Sequence, residues 1–488
     1  MYLGKKGYTI PKKLITTDEI LEIKKTLKVK PNVNQKMMIN NVNSFPVYRE
    51  SNTKIYVPRY YGEEKYGILS IKKITEGENI NLDFNGKLFE YQVNITDKFV
   101  NHVKKNNSGG GLLDVEPGKG KTVMALNIIS KLKKKTLIVV HKTFLLNQWE
   151  ERIKQFLPNA KIGRIQGQII DIEDKDIVIG MLQSLCRPNY DNSIFDCFGL
   201  SVYDECHHLS AEVFSNCLNS IVTNYTLGLS GTMTRKDGLT KVFKWFLGPV
   251  VHKEHSEKNI KVLVKKVNYN VDDDEFNELI SDFRGQIMYS SMITKLCNYE
   301  YRSDFIVNII IHELKENMNQ QIMILSQNKS LIYYLQKKLE ENNIDTGLYL
   351  GGMKEKQLKI SESKKVILAT YSMASEGLDI KTLTTLIMAT PKSDICQSVG
   401  RILRQKHEHP LVIDIVDKHH IFKNQYKKRE SYYKKQNFDI VTLNNNNYFK
   451  NKDIKKLLKK NNDEEDDNVN EENISKKGVC LIDFDNLE

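Results

Sequence analysis

From residue 86 to residue 250 the chain alternates between two textures. Short apolar runs, TLIVV (136–140), DIVIG (176–180), LSVYD (200–204) and LGLS (227–230), are separated by stretches such as FLLNQWEERIKQF, whose apolar residues recur at helical spacing. Runs of this length bounded by polar turns suit parallel strands buried on both faces. A second series follows with QIMIL (321–325), VILAT (366–370), LIMAT (386–390) and LVIDIV (411–416), and with helices such as SLIYYLQKKLEEN between. The pattern predicts an α/β chain with two lobes, 86–250 and 301–440. Each is expected to be a parallel sheet flanked by helices, with function at the C-terminal ends of the strands. Residues 251–300, including the helical VDDDEFNELISDF, read as a linker or insertion.

The ends of the chain break this pattern. In residues 1–85, ITTDEILEIKKTLKV has acids early and lysines late, as a helix beginning at Thr17 or Asp18 requires. FPVYRESNTKIYVPRYYG reads as a hairpin turning at Ser51-Asn52. Together they predict a small N-terminal α+β domain. Its tyrosines and arginines are read as packing that domain, with stacking on bases as the alternative. Residues 441–488 pass from NNNN through KDIKKLLKK to an acidic tract and end in VCLIDF. They predict a low-complexity, disordered tail, whose last segment is a frayed terminus or a docking peptide.

The densest chemistry lies in EPGKGKT, Glu116 to Thr122, between LLDV and VMALNIISKL. A buried strand, a glycine-bearing turn and a helix start form a cradle for phosphates, because backbone N–H groups there lack partners and the helix dipole favours negative charge. Gly118 and Gly120 let the backbone curl, Lys121 can reach the β/γ-phosphates, and Thr122 offers a hydroxyl to Mg²⁺. The usual phosphate-loop pattern opens on Gly or Ala, where this chain has Val115.

Downstream, DECHH (Asp204 to His208) follows the apolar LSVY. A strand ending in Asp-Glu beside a phosphate loop suits Mg²⁺ held through water by Asp204, and an attacking water polarised by Glu205. A zinc reading of Cys206, His207 and His208 lacks a second ligand pair at metal spacing. Gln92, shortly before the loop, can meet an adenine edge. In LSGTMTRKDG, Ser230 and Thr232 can link hydrolysis to strand movement, while Arg235, Lys236 and Lys241 can meet phosphates. In the second series, SEGLD places Gly377 and Asp379 after a strand, and QSVGRILR places Arg401 and Arg404 on one helix face. Two such arginines facing a γ-phosphate stabilise transition-state charge.

Composition adds a partner class. The 488 residues suit two or three domains, and the net charge of +12 is carried in spite of seven acids between 461 and 472. A polyanionic partner is one reading, and a merely lysine-rich soluble protein is the other. The seven cysteines include no C-x-x-C pair, which suits free thiols in a reducing compartment. No apolar leader or long apolar run occurs, so neither secretion nor a membrane partner is expected.

Taken in order, Gln92, GKGKT, DECHH, SGT, SEGLD and QSVGRILR resemble the motif set of superfamily 2 helicases and translocases of the DExH type, over residues 86–435. The resemblance implies two RecA-like lobes that sandwich ATP, with nucleic acid across both. It implies ATP contacts from Gln92, Pro117, Gly118, Lys119, Gly120, Lys121 and Thr122, and from Gly377 and Asp379. Thr122 and Asp204 would serve the metal, Asp204 and Glu205 would form the Walker B pair, and Arg401 and Arg404 would be arginine fingers. Lys142, Thr143, Arg235 and Lys236 would touch nucleic acid. NQWEERIKQF, GLSGTMTRKDGL and QSVGRILRQ look like the XPB/UvsW branch and the DNA helicases of large DNA viruses, including the poxvirus transcript-release helicase. The chain departs from that pattern in SGT for SAT, in Met233 for Pro, and in Arg235-Lys236-Asp237 for the XPB triplet. The expectation is an ATP- and Mg²⁺-dependent helicase or translocase, on DNA ahead of RNA, with transcription or replication proteins as further partners. An ATP-gated clamp, a transcript-release or assembly subunit, and an RNA helicase are the alternatives. The expected location is intracellular, extended by the viral likeness to a virion or a viral factory in the host cytoplasm.

Overall fold

The computed structural model describes residues 1–31, 44–105, 108–116, 118–186, 192–207, 212–231, 238–254, 261–375, 380–402, 407 and 410–450. The chain divides into two compact units, Met1–Ser256 and Glu257–Glu488.

The first unit is built on an eight-stranded sheet. Its order is Ile169–Ile170, Ile162–Gln166, Ile177–Met181, Thr136–Val140, Leu200–Tyr203, Tyr225–Ser230, Gly109–Asp114 and Val250–Lys253, parallel throughout except for the first strand. The apolar runs are buried on both faces, as their continuous hydrophobicity requires. In Thr136–Val140, Leu137 and Val139 pack with Phe195 and Phe198, while Ile138 and Val140 pack with Leu126 and Trp149. The loops at the C-terminal ends of these strands carry the chemical motifs.

The N-terminal residues form a five-stranded sheet on which helix Thr17–Leu27 packs. The helix begins as its sequence requires: Glu19 N–H donates to Thr16 Oγ1 at 3.2 Å, and Thr16 N–H donates to the Glu19 carboxylate at 2.8 Å. The expected hairpin pairs Arg49 with Tyr56 and Glu50 with Ile55. Residues 1–85 are not a separate body, however. Tyr8, Ile10 and Ile55 share one core with Leu239 and Val242. Arg59 donates to Glu63 at 2.8 Å, to Asn224 O at 3.1 Å and to Ser108 Oγ at 2.8 Å, which ties the small sheet to the large one.

The second unit holds a seven-stranded, wholly parallel sheet. Its order is Thr346–Tyr349, Val366–Thr370, Ile322–Ser326, Thr385–Met388, Leu411–Asp417, Leu263–Tyr269 and Asp439–Asn444. Two expectations are corrected here. Residues 251–300 are not a linker: Val250–Lys253 edges the first sheet and Leu263–Tyr269 is interior to the second. Lys265 and Lys266 hide that strand in the sequence. In the fold, buried Lys265 meets the Glu313 carboxylate at 2.6 Å, which neutralises it. The tail also begins later than residue 441, because Asp439–Asn444 is an edge strand and buried Tyr448 donates to Glu313 at 2.6 Å. The acidic tract and VCLIDF lie outside the described residues.

Two fully buried ion pairs brace this sheet. Arg302 binds Asp417 at 2.6 and 2.9 Å and donates to Ala389 O at 2.8 Å. Arg429 binds Asp414 at 2.8 Å and donates to Lys392 O at 2.7 Å. With Tyr371 donating to Thr390 O at 2.6 Å and Tyr289 to Pro391 O at 3.1 Å, residues 389–392 are held from several sides. That stretch leads into QSVGR. Removing one partner of such a pair strands a buried charge, at about 3–5 kcal/mol.

Candidate active site

The phosphate loop follows strand Gly109–Asp114 and runs into helix Lys121–Leu132. Gly118 and Gly120 have φ of 84° and 82°, a region that side chains with a Cβ rarely adopt. No side chain caps this helix, so its first N–H groups are left to the loop. Most of the helix is buried, including Met124, Leu126, Ile128 and Ile129, so its start is fixed relative to the sheet.

Gln92 is positioned by helix Glu90–Lys104 and is buried. Its Oε1 accepts from Phe89 N at 3.0 Å, and its Nε2 donates to Lys119 O at 3.0 Å and to Tyr91 Oη at 3.3 Å. Tyr91 also donates to Lys119 O, at 3.1 Å. Both ends of the amide are engaged by the chain, and the side chain holds the loop backbone. A Cβ on Gly120 would lie 2.5 Å from Gln92 Nε2.

Asp204 and Glu205 follow strand Leu200–Tyr203, beside Thr136–Val140 in the sheet. Glu205 has φ of 46°, a left-handed conformation that costs a non-glycine residue on the order of 1–3 kcal/mol. Its carboxylate accepts from Lys121 Nζ at 3.3 Å. Asp204 is partly buried, and its carboxylate is shared between two donors. Oδ1 accepts from Glu205 N at 3.0 Å, and Oδ2 accepts from Trp149 Nε1 at 2.9 Å. Burial, then the Glu205 charge, pushes the Asp204 carboxyl above the usual carboxylate range, against Lys121 and the Trp149 bond. Sequence reading missed Trp149 as a site residue. Its only signal was a tryptophan at a buried position of the helix after strand Thr136–Val140.

From Glu205 the contacts continue. His207 Nδ1 lies 3.5 Å from Glu205 Oε2 and shares a 2.9 Å hydrogen bond with Ser230 Oγ. Ser230 ends its strand, and its carbonyl accepts from Val115 N at 3.0 Å. The first residue of SGT is thus tied to both the phosphate loop and DECHH. Cys206 is buried in apolar surroundings, which pushes its thiol well up. The six described cysteines are free, and no metal-sized group of three His, Cys, Asp or Glu occurs among the described residues.

Lys142 is the N-cap residue of helix Thr143–Phe156, and Thr143 is exposed at its start, on the strand-end edge that also carries the loop and Asp204. In the second unit Arg401 is buried, and its Nε donates to Ala374 O at 2.8 Å. Pro117, His208, Thr232, Arg235, Lys236, Gly377, Asp379 and Arg404 lie outside the described residues.

Residues 85–235 match the family of type III restriction enzyme res subunits, and residues 304–406 match the helicase conserved C-terminal domain. The chain is 40% identical over 448 residues, 89% of its length and 85% of the relative's, to a putative ATP-dependent RNA helicase of Acanthamoeba polyphaga mimivirus. It is 27% identical to a probable helicase of Escherichia phage T5, across 68% of this chain and 73% of that one. Among solved structures it is similar to S. cerevisiae Dbp5 bound to RNA and ADP BeF3, with a TM-score of 0.53 at 12% identity, covering 77% and 93% of the two chains. That likeness speaks to the fold, an α/β arrangement of the RecA-like helicase kind. No described helix is long and apolar enough to cross a membrane.

Proposed function

We propose, for a chain that belongs to the superfamily 2 helicases, that ATP hydrolysis at Lys121, Thr122, Asp204 and Glu205 drives movement along a DNA strand. The carrying observation is the 3.3 Å contact between Lys121 and Glu205, at a helix start reached through two left-handed glycines. Bound phosphates draw the Lys121 ammonium away from Glu205. That frees the carboxylate to orient the attacking water. Phosphoryl transfer asks for positioning and charge neutralisation, and this arrangement supplies both.

Mg²⁺ fits the donor set. Each Asp204 oxygen accepts one hydrogen bond and keeps a lone pair, and Mg²⁺ typically takes one or two protein oxygens beside substrate phosphates and water. Thr122 and Asp204 would hold the ion, which would neutralise charge on the β- and γ-phosphates. Arg401 and Arg404, with Gly377 and Asp379, act on the nucleotide from the second unit in this reading. The His207–Ser230 bond passes the state of Glu205 to residues 232–237, where Arg235 and Lys236 contact the strand, as Lys142 and Thr143 do.

The likeness of NQWEERIKQF, GLSGTMTRKDGL and QSVGRILRQ to the XPB/UvsW branch and to viral DNA helicases supports DNA. An RNA track is the second reading, favoured by the name of the mimivirus relative. Phosphate release measured with oligo-dT, duplex DNA and poly-U at equal nucleotide concentration separates them. DNA is expected to stimulate most. Stimulation by poly-U alone transfers the assignment to RNA, and no turnover with any polymer favours the ATP-gated clamp.

A further inference from the structure

A crevice of about 1080 Å³ opens in the first unit, on the side of the large sheet opposite the phosphate loop. Its floor is the backbone of Gly109, Gly110, Gly248 and Pro249, at the starts of strands Gly109–Asp114 and Val250–Lys253. One wall is helix Arg59–Tyr66 with the following residues 68–72, and the other is helix Thr240–Leu247. A pocket for one drug-sized ligand is roughly 300–1,000 Å³, so there is room here for more than one nucleotide.

The lining is basic with an aromatic face. Lys241 and Lys244 are exposed on one helix and have no acidic partner among the described residues. Lys72 faces the same space, where burial and then the neighbouring Arg59 charge hold its ammonium below the usual lysine range. Of the two acids in the described lining, Glu63 is taken up by Arg59 at 2.8 Å, which leaves Glu64 against Lys241 and Lys244. Trp245 is half-buried. Tyr61 packs edge-on to it at 5.5 Å, the Lys241 ammonium stands 5.4 Å from its ring, and its indole N–H has no hydrogen-bond partner among the described residues. Cations spaced along a groove beside a partly exposed aromatic ring are what a strand of phosphates and bases requires.

We propose that this crevice binds a segment of nucleic acid, with phosphates on Lys72, Lys241 and Lys244 and a base against Trp245, as a second anchor remote from the ATP site. The proposal rests on the reading of nucleic acid as the partner and adds where a further length of it is held. Arg59, which closes the crevice and joins the two sheets, makes the anchor rigid with the ATP-binding sheet.

The test uses the full chain and oligo-dT, with binding followed across salt concentration and by tryptophan fluorescence. Lys244→Glu is expected to keep strand-free ATPase and thermal midpoint, and to reduce the slope of log affinity against log salt by about 0.7, the value per lost contact on single strands. A control with the same charge change, Lys356→Glu on the exposed helix Glu355–Glu362, is expected to alter the slope far less. Oligo-dT is expected to quench Trp245 in the wild type and not in the crevice variant. An unchanged slope in the crevice variant, as an apolar protein partner of this surface would give, overturns the proposal. So does an equal fall in the control. If the wild type binds neither oligo-dT nor poly-U, the nucleic-acid reading itself fails, and the crevice proposal with it.

Discussion

The Trp149 indole N–H donates to the Asp204 carboxylate at 2.9 Å, the indole buried and the carboxylate partly so. A hydrogen bond to a charged group is worth about 1.5–3 kcal/mol. The bond fixes the orientation of the Asp204 carboxylate, which in the proposed mechanism faces the nucleotide. Trp149→Phe keeps an aromatic ring in the core and removes the donor. Strand-stimulated turnover is expected to fall about tenfold to a hundredfold, the rate equivalent of that bond. The Mg²⁺ concentration for half-maximal turnover should rise as well, which a simple packing defect would not produce. Unchanged Mg²⁺ dependence assigns Trp149 to packing alone.

Gln92 and Gly120 make a second prediction. Gly120 has φ of 82° and no room for a Cβ beside Gln92 Nε2. Gly120→Ala should therefore displace the loop and raise the ATP dissociation constant, read by titration with a fluorescent ATP analogue. Gln92→Ala removes one of the Lys119 carbonyl's two donors, Tyr91 being the other, together with the obstructing atom. In that background Gly120→Ala should cost less than it does alone, so the double-mutant cycle should show coupling. Additive effects would mean that the two residues act independently.

Acid should weaken the second unit through His419. Its Nε2 is 2.9 Å from the Phe276 carbonyl and donates to it, and its Nδ1 is buried with no hydrogen-bond partner among the described residues. Burial holds its pKa below the ordinary 6.5, opposed by the Phe276 bond and Asp417 and assisted by Lys295 and Lys418. The folded chain keeps this ring neutral, while the unfolded chain protonates it near the ordinary value. Below pH 6.5 the unfolded state therefore holds more protons, and stability falls with pH until the lowered folded value is reached. Thermal midpoints measured between pH 7 and pH 5 should show this fall, and His419→Gln should flatten it. An equally steep fall in the variant would place the acid sensitivity elsewhere.

The elements legible in the sequence were those whose pattern is local. Continuous apolar runs such as VILAT became strands at their expected places because a strand buried on both faces has no polar side to hide. The turn into helix Lys121–Leu132 was legible because Gly118 and Gly120 supply the positive φ that it needs. Strand Leu263–Tyr269 was not, because Lys265 breaks its apolar run and the acid that neutralises it, Glu313, is 48 residues away. Trp149 was invisible as a site residue for a similar reason. An indole in a core helix looks like packing until Asp204, 55 residues on, is seen beneath its N–H. The bond from Gln92 to the Lys119 carbonyl was not legible, because it depends on tertiary placement.

The central claim is that Lys121 and Glu205 form the hydrolytic site of a strand-driven ATPase. Phosphate release with and without DNA, in the wild type, Lys121→Ala and Glu205→Gln, tests it most directly. The account predicts DNA-stimulated release in the wild type and a loss of about a hundredfold or more in each variant. Full stimulated turnover in both variants would contradict it.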